Sequence, residues 1–213
     1  MNIVSVGYKM QLLETLIRDQ NTSSEELRDA LHELGRIMGS EIWGRSRLSS
    51  KKIITPLLVK FTGKQLQQEE GISIVISTKD DYCYFANGIA EGFSTKYRGY
   101  IDFGGVRGTQ AFTTPYRSLE LPEIRSNCPV KRIVVAKSVV ATGCTAITLA
   151  QKAIATYFPE ELIIVAPFYS QQGIDELKAE LKNAKIYVAY GPDMINEDGM
   201  LVPGIGDIDR RLA

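Results

Sequence analysis

The stretch IVVAKSVVATGCTAITLAQKAI, residues 133–154, decides the fold. Ile133 to Ala136 is a short apolar run and reads as a buried strand. A turn of small residues follows, Ala141-Thr142-Gly143-Cys144-Thr145, and from Ala146 onward the pattern is helical. A strand, a tight turn and a helix in this order present backbone amides to a phosphate. Small side chains let the amides approach it, Thr142 and Thr145 add hydroxyl donors, and the positive end of the helix faces the anion. Such loops usually carry acids just before the turn; this one carries Lys137.

Outward from this unit the pattern is regular. The sequence predicts a strand over 132–136, a helix over Cys144–Tyr157, a strand over 162–166 (LIIVA), a helix over 171–183 and a strand over 185–190 (KIYVAY). Upstream, 72–76 (ISIVI) is another short β-branched run. Near-continuous apolar strands alternating with helices pair in parallel and are buried on both faces. Residues 77–88 read as a loop leading into a helix near 86–94. Residues 95–117 read as one or two strands and a long loop made mobile by Gly104, Gly105 and Gly108, of the kind that often covers a site. Ser23-Ser24-Glu25-Glu26 is a capping box that opens a helix with apolar residues at Leu27, Ala30, Leu31, Leu34, Ile37, Met38 and Ile42. Thr55-Pro56 biases the next segment toward extended backbone. The tail MLVPGIGDIDRRLA reads as a loop. The fold class is α/β, a central mostly parallel sheet flanked by helices, in a single domain over residues 1–213.

Composition excludes several functions. The 25 basic and 25 acidic residues balance, which is not the footprint of a nucleic-acid binder. No apolar run is long enough to span a bilayer, and the N-terminus has no secretory pattern. The three cysteines, Cys83, Cys128 and Cys144, form no CxxC pair and read as reduced thiols of a cytoplasm-like compartment, or of the plastid stroma. The single histidine, His32, rules out a two-histidine metal site and reads as a surface or interface residue. In an open parallel sheet ligands sit at the carboxyl ends of the strands. The 137–145 turn and the loops after Ile76 and Ala166 therefore converge on one edge. No GxGxxG follows the first strand, which argues against a dehydrogenase.

The sequence resembles the uracil phosphoribosyltransferase family. VVATGCTA at 139–146 is similar to the family's MLATGGSA loop, and NEDGMLVPGIGDIDRRL is similar to its C-terminal NExGYIxPGLGDAGDRxF. Residues 25–56 resemble its N-terminal helix and the strand after it. Ala166-Pro167 with Gly173-Ile174 resembles its APEGI turn with an insertion. The resemblance runs from about residue 10 to the end of the sequence. It implies a phosphoribosyltransferase-like sheet with a small hood from the N- and C-terminal segments. It also implies Mg²⁺-dependent transfer from phosphoribosyl pyrophosphate (PRPP) to uracil, giving UMP. Ala141, Thr142, Gly143, Cys144 and Thr145 then match the loop for the 5′-phosphate. Leu201, Gly206, Asp207 and Ile208 match the uracil-reading segment, with Asp207 also placed at the donor. Arg107 and Lys79 fall where cations meet pyrophosphate. A homodimer or larger homo-oligomer is implied as well.

The sequence also departs from the family. Lys137-Ser138 stands where the family has Asp-Pro, and a lysine cannot accept hydrogen bonds from ribose hydroxyls. The family's RAGLGM loop is replaced by Lys79-Asp80-Asp81-Tyr82-Cys83-Tyr84, whose acids repel pyrophosphate unless Mg²⁺ bridges them. GDAGD is replaced by Gly206-Asp207-Ile208-Asp209-Arg210. Two expectations follow: a divergent transferase, or a catalytically inactive member that binds a nucleotide or a protein partner.

Overall fold

The computed structural model describes residues 1–4, 7–67, 70–106, 108–125 and 128–212. Its centre is a seven-stranded sheet in the order Asn2–Ile3, Lys185–Val188, Glu161–Val165, Val130–Ala136, Ile72–Thr78, Arg98–Asp102, Ser118–Glu120. Neighbouring strands are parallel except the last pair, where Ser118–Glu120 runs antiparallel to Arg98–Asp102. In register, Val134 lies between Val75 and Ile163.

Both faces of the sheet are covered, which is why its strands are apolar throughout rather than alternating. Val75, Val134, Ala136, Ile163 and Val165 pack with residues of the helices Tyr8–Arg18, Ser24–Arg47 and Phe85–Gly92. Their neighbours Ile74, Ile76, Ile133, Val135 and Ile164 pack with Cys144–Tyr157 and Gln171–Glu180 on the opposite face. The capping box is formed: Ser23 accepts from the Glu26 amide, and the Glu26 carboxylate accepts from the Ser23 amide.

Helix Cys144–Tyr157 has the expected limits. The helix after it is shorter than expected, Gln171–Glu180, because Leu181 leaves helical geometry. The 185–190 strand ends at Val188, and the Tyr190 amide turns away to the Pro167 carbonyl. Residues 77–88 are not a plain loop, since a helical turn, Lys79–Tyr82, precedes Phe85–Gly92. Tyr82 stacks on Tyr100 with ring centroids 4.8 Å apart, and the Arg98 guanidinium lies 4.9 Å from the Tyr82 centroid. Aromatic and cation–π contacts thus fasten this turn to the neighbouring strand. The tail is not wholly loop either. It holds the pair Met194–Ile195 and Leu201–Val202 and a final helix, Ile208–Leu212, anchored by buried Ile208. Leu48–Ile54 is the strand expected after the long helix; its hairpin partner Lys60–Leu66 was missed because its residues are largely exposed and show no in-out alternation.

The two ends of the chain close on each other. Arg18 donates to the Asp193 carboxylate at 2.8 and 3.2 Å and to the Gly204 carbonyl at 2.9 Å. Arg211 donates to the carbonyls of Ile17, Ile205 and Asp19. This is the hood expected from the terminal segments. His32 is at the surface, 3.1 Å from the Glu91 carboxylate. Among the described residues no helix is long and apolar enough to cross a membrane.

Helices Ser24–Arg47 and Phe85–Gly92 touch backbone to backbone through glycines. A Cβ on Gly88 would lie 2.0 Å from the His32 carbonyl oxygen, and one on Gly35 would lie 2.2 Å from that of Phe85. Replacing Gly88 with Ala is therefore expected to cost about 1–3 kcal/mol by overpacking. Urea unfolding of Gly88→Ala checks this, and an unchanged midpoint would refute the close contact.

Candidate active site

After its edge strand Asn2–Ile3 the chain returns to the sheet at Ile72–Thr78, adds Arg98–Asp102 and Ser118–Glu120 on one side, and then crosses to Val130–Ala136 on the other. The segments leaving Ile72–Thr78 and Val130–Ala136 diverge, and a crevice opens at this fork. It is a cavity of about 520 Å³. The 78–80 turn, the 102–108 segment, the 139–146 loop and the 198–209 segment all contribute to its lining.

The 141–145 loop is built to expose amides. Gly143 caps the helix with φ 83°, in the left-handed region that favours glycine. The first helical bond runs from the Ile147 amide to the Gly143 carbonyl, so the amides of Cys144, Thr145 and Ala146 have no acceptor within the helix. Ser170 holds the loop from the next element. Its hydroxyl donates to the Ala141 carbonyl at 2.5 Å and accepts from the Gly173 amide at 2.9 Å. Backbones meet here: a Cβ on Gly173 would lie 2.3 Å from the Ala141 oxygen. Ala141, Thr142, Gly143 and Thr145 line the cavity. The Cys144 side chain is buried in the core layer on the helix side, its thiol 3.4 Å from the Thr142 hydroxyl.

Lys137 does not point to solvent. Its ammonium donates to Asp81 at 2.6 Å and to Asp80 at 3.0 Å, and the Ser138 amide donates to the same Asp81 oxygen at 3.0 Å. The lysine and the two acids that looked like separate departures are one buried cluster, and Lys137 itself bridges the acids. The two carboxylates are not equivalent. The Asp81 side chain is 1% exposed and that of Asp80 24%. Burial opposes the charge on Asp80, but Lys137 outweighs it and holds that carboxyl below its ordinary range. Burial pushes Asp81 up, and Lys137 and the Ser138 amide offset this only in part. The second Asp81 oxygen is buried without a hydrogen-bond partner. Burial also opposes the Lys137 charge, but the paired acids raise its pKa above the ordinary lysine value.

The other expected residues are placed as follows. Lys79 lines the cavity and donates to Asp102 at 3.0 Å, while the other Asp102 oxygen accepts from the Gly104 amide at 2.8 Å. The Gly104 amide and Lys79 together hold Asp102 below its usual range. Leu201, Gly206 and Ile208 also line the cavity. Asp207 stands at the start of helix Ile208–Leu212, where its carboxylate accepts from the Arg210 amide at 3.4 Å. Arg107 lies outside the described residues. Ser170, Asp102 and Asp209 were not foreseen; only Ser170 had a signal, as a serine capping the helix that carries Gly173. No three His, Cys, Asp or Glu side chains among the described residues form a group able to hold a metal. With Asp80 and Asp81 engaged by Lys137, the residues present do not build a resident Mg²⁺ site.

A family model described as uracil phosphoribosyltransferase matches residues 6–78 and 88–212. The chain belongs to the uracil phosphoribosyltransferase family. Among its relatives, a uracil phosphoribosyltransferase of Thermococcus gammatolerans is 27% identical over 202 residues, covering 95% of this chain and 87% of that one. One from Natronomonas pharaonis is 24% identical over 200 residues, covering 92% and 88%. The solved structure of the AQ2163 protein from Aquifex aeolicus shares the fold with a TM-score of 0.74 at 24% identity, covering 99% of this chain and 96% of that one. The family match omits residues 79–87, the segment that contributes Asp80 and Asp81 to the Lys137 cluster.

Removing the Lys137 charge strands two buried carboxylates. Lys137→Met is expected to lose about 3–5 kcal/mol at neutral pH. Without the ammonium, the carboxyls in the folded variant have raised pKa values, so the folded state binds more protons than the unfolded one. Stability of the variant therefore rises as pH falls from about 7 toward 5, whereas in the wild type Asp80, which Lys137 holds below its ordinary value of 3.8, keeps its contribution over this range and loses it only at lower pH. Urea unfolding of both proteins across this range checks the sign; parallel curves would refute it.

Proposed function

We propose that the protein transfers the phosphoribosyl group of PRPP to N1 of uracil, giving UMP and pyrophosphate. The observation that supports this reading is that the 141–145 amide cradle and Leu201, Ile205, Gly206 and Ile208 line one cavity. The amides of Gly143 to Thr145, with the hydroxyls of Thr142 and Thr145, hold the 5′-phosphate. Lys79, with Arg107, meets the pyrophosphate. Leu201, Gly206 and Ile208 present backbone groups to the uracil imide, and Asp207 sets the turn that carries them. A fixed edge that pairs with O2, N3 and O4 rejects cytosine, because its amino group leaves polar groups mismatched. Mg²⁺ belongs to the donor substrate, as its pyrophosphate complex. Rate enhancement comes from positioning and from fixed dipoles at the phosphates, with no covalent nucleophile.

A homo-oligomer is part of the same reading. Leu57, Leu58, Val59 and Phe61 stand exposed on the Leu48–Leu66 hairpin, and an apolar surface of this kind suits a second copy.

One observation favours a second reading, binding of a nucleotide without transfer: Lys137 occupies the strand end beside the cradle with its charge committed to Asp80 and Asp81. UMP formation from uracil, PRPP and Mg²⁺ separates the two. Thr142→Arg, which fills the cradle, is expected to reduce the rate at least about 100-fold, the scale of losing preorganised contacts to the reacting phosphate ester. Product formation unaffected by Thr142→Arg would belong to a contaminant. An inactive, folded wild type that still binds UMP would establish the second reading.

A further inference from the structure

We propose that Asp80 is the group that accepts the ribose hydroxyls in this cavity. The inference rests on the reading that the cavity holds a 5′-nucleotide, and it names the side chain that grips the sugar. A ribose monophosphate has three parts to recognise: an anion, a vicinal diol and a base. The amide cradle suits the anion and the 201–208 wall suits the base. The diol presents two hydroxyl donors and asks for an acceptor, best of all a carboxylate.

The lysine of the adjacent strand end cannot fill that role, since an ammonium only donates. Four carboxylates among the described residues line the cavity: Asp80, Asp102, Asp198 and Asp209. Each Asp102 oxygen already holds a donor of the protein, Lys79 on one and the Gly104 amide on the other. Asp198 and Asp209 belong to the 198–209 segment, the one assigned above to the base. Asp80 is on the cradle's own side. Its strand pairs directly with the strand that feeds the cradle, Ser77 opposite Ala136, so Asp80 and Lys137 emerge side by side at one sheet edge.

Within the cluster the division of labour follows from exposure. Asp81, 1% exposed, takes the shorter bond from Lys137 and the Ser138 amide, and serves the scaffold. Asp80, 24% exposed, shares the same ammonium and faces the cavity. The Asp80 carboxylate, held in its charged form beside Lys137, is the acid of this cluster that meets the cavity. Lys137 is the positioning residue, fixing the Asp80 side chain through one oxygen.

The test is calorimetric titration of UMP and of its 2′,3′-dideoxy analogue into the wild type and Asp80→Asn, with thermal unfolding as the check of fold. The wild type is expected to prefer UMP by roughly 10- to 100-fold, the range for hydrogen bonds to a charged group. In Asp80→Asn the preference shrinks to a few-fold, with UMP affinity falling to near that of the analogue. An unchanged preference in Asp80→Asn overturns the proposal, as does a wild type that does not distinguish the two ligands. A wild type that binds neither overturns the nucleotide reading itself, and this proposal with it. If Asp80→Asn does not fold, Asp80→Glu decides. It keeps the charge for Lys137 but moves the carboxylate by one methylene, and is expected to lose most of the preference; an undiminished preference there overturns the proposal.

Discussion

A buried ammonium held between two carboxylates sets the fork of this sheet. Lys137 leaves the end of one central strand, and Asp80 and Asp81 leave the end of its neighbour. Each of these charges alone would be expensive to bury. Together they join the two segments that open the crevice, and Asp81 also takes the Ser138 amide. The cradle that begins four residues later starts from a backbone fixed by this contact. On its other flank the cradle is fixed by Ser170 and by the close approach of Gly173 to Ala141. The loop is thus held from both adjacent strands while its helix amides stay free for an anion.

Much of the architecture was legible. Parallel strands buried on both faces advertise themselves as apolar runs, and the glycine turn before Cys144 marks a helix start. The C-terminal PGIGD stretch lines the cavity through Ile205 and Gly206. The elements that escaped notice share a physical reason. The hairpin strand Lys60–Leu66 buries neither face, so it has no periodicity to find. Lys79–Tyr82 is one helical turn, held by aromatic stacking on Tyr100 rather than by any local helix signal.

The relation between Lys137 and the two aspartates was not legible for a different reason. They are 57 and 56 residues apart, and a strand pairing stands between them. Taken singly, a lysine in place of an acid looks like damage to a phosphate-ester site, and two adjacent acids look like repulsion. Only the register of Ile72–Thr78 against Val130–Ala136 shows that each departure compensates the other. Cys144 shows a similar limit. Its place in the loop suggested a side chain at the ligand, but the first residue of the helix turns inward and its side chain joins the core.

The glycine contact between the helices has a bearing on how this fork can vary. The unmatched 79–87 segment runs into the first turn of helix Phe85–Gly92, whose contact face accepts only hydrogen at Gly88 and Gly92. An inserted or deleted residue inside that helix ahead of Gly88 would rotate the contact face by about 100° and drive side chains into the backbone of Ser24–Arg47. The short stretch before the helix is tied at its other end by Tyr82 on Tyr100. Between two such fixed points, substitution is far less disruptive than a change of length. In this chain the spacing between the two fixed points, more than the residues within it, is what aims Asp80 and Asp81.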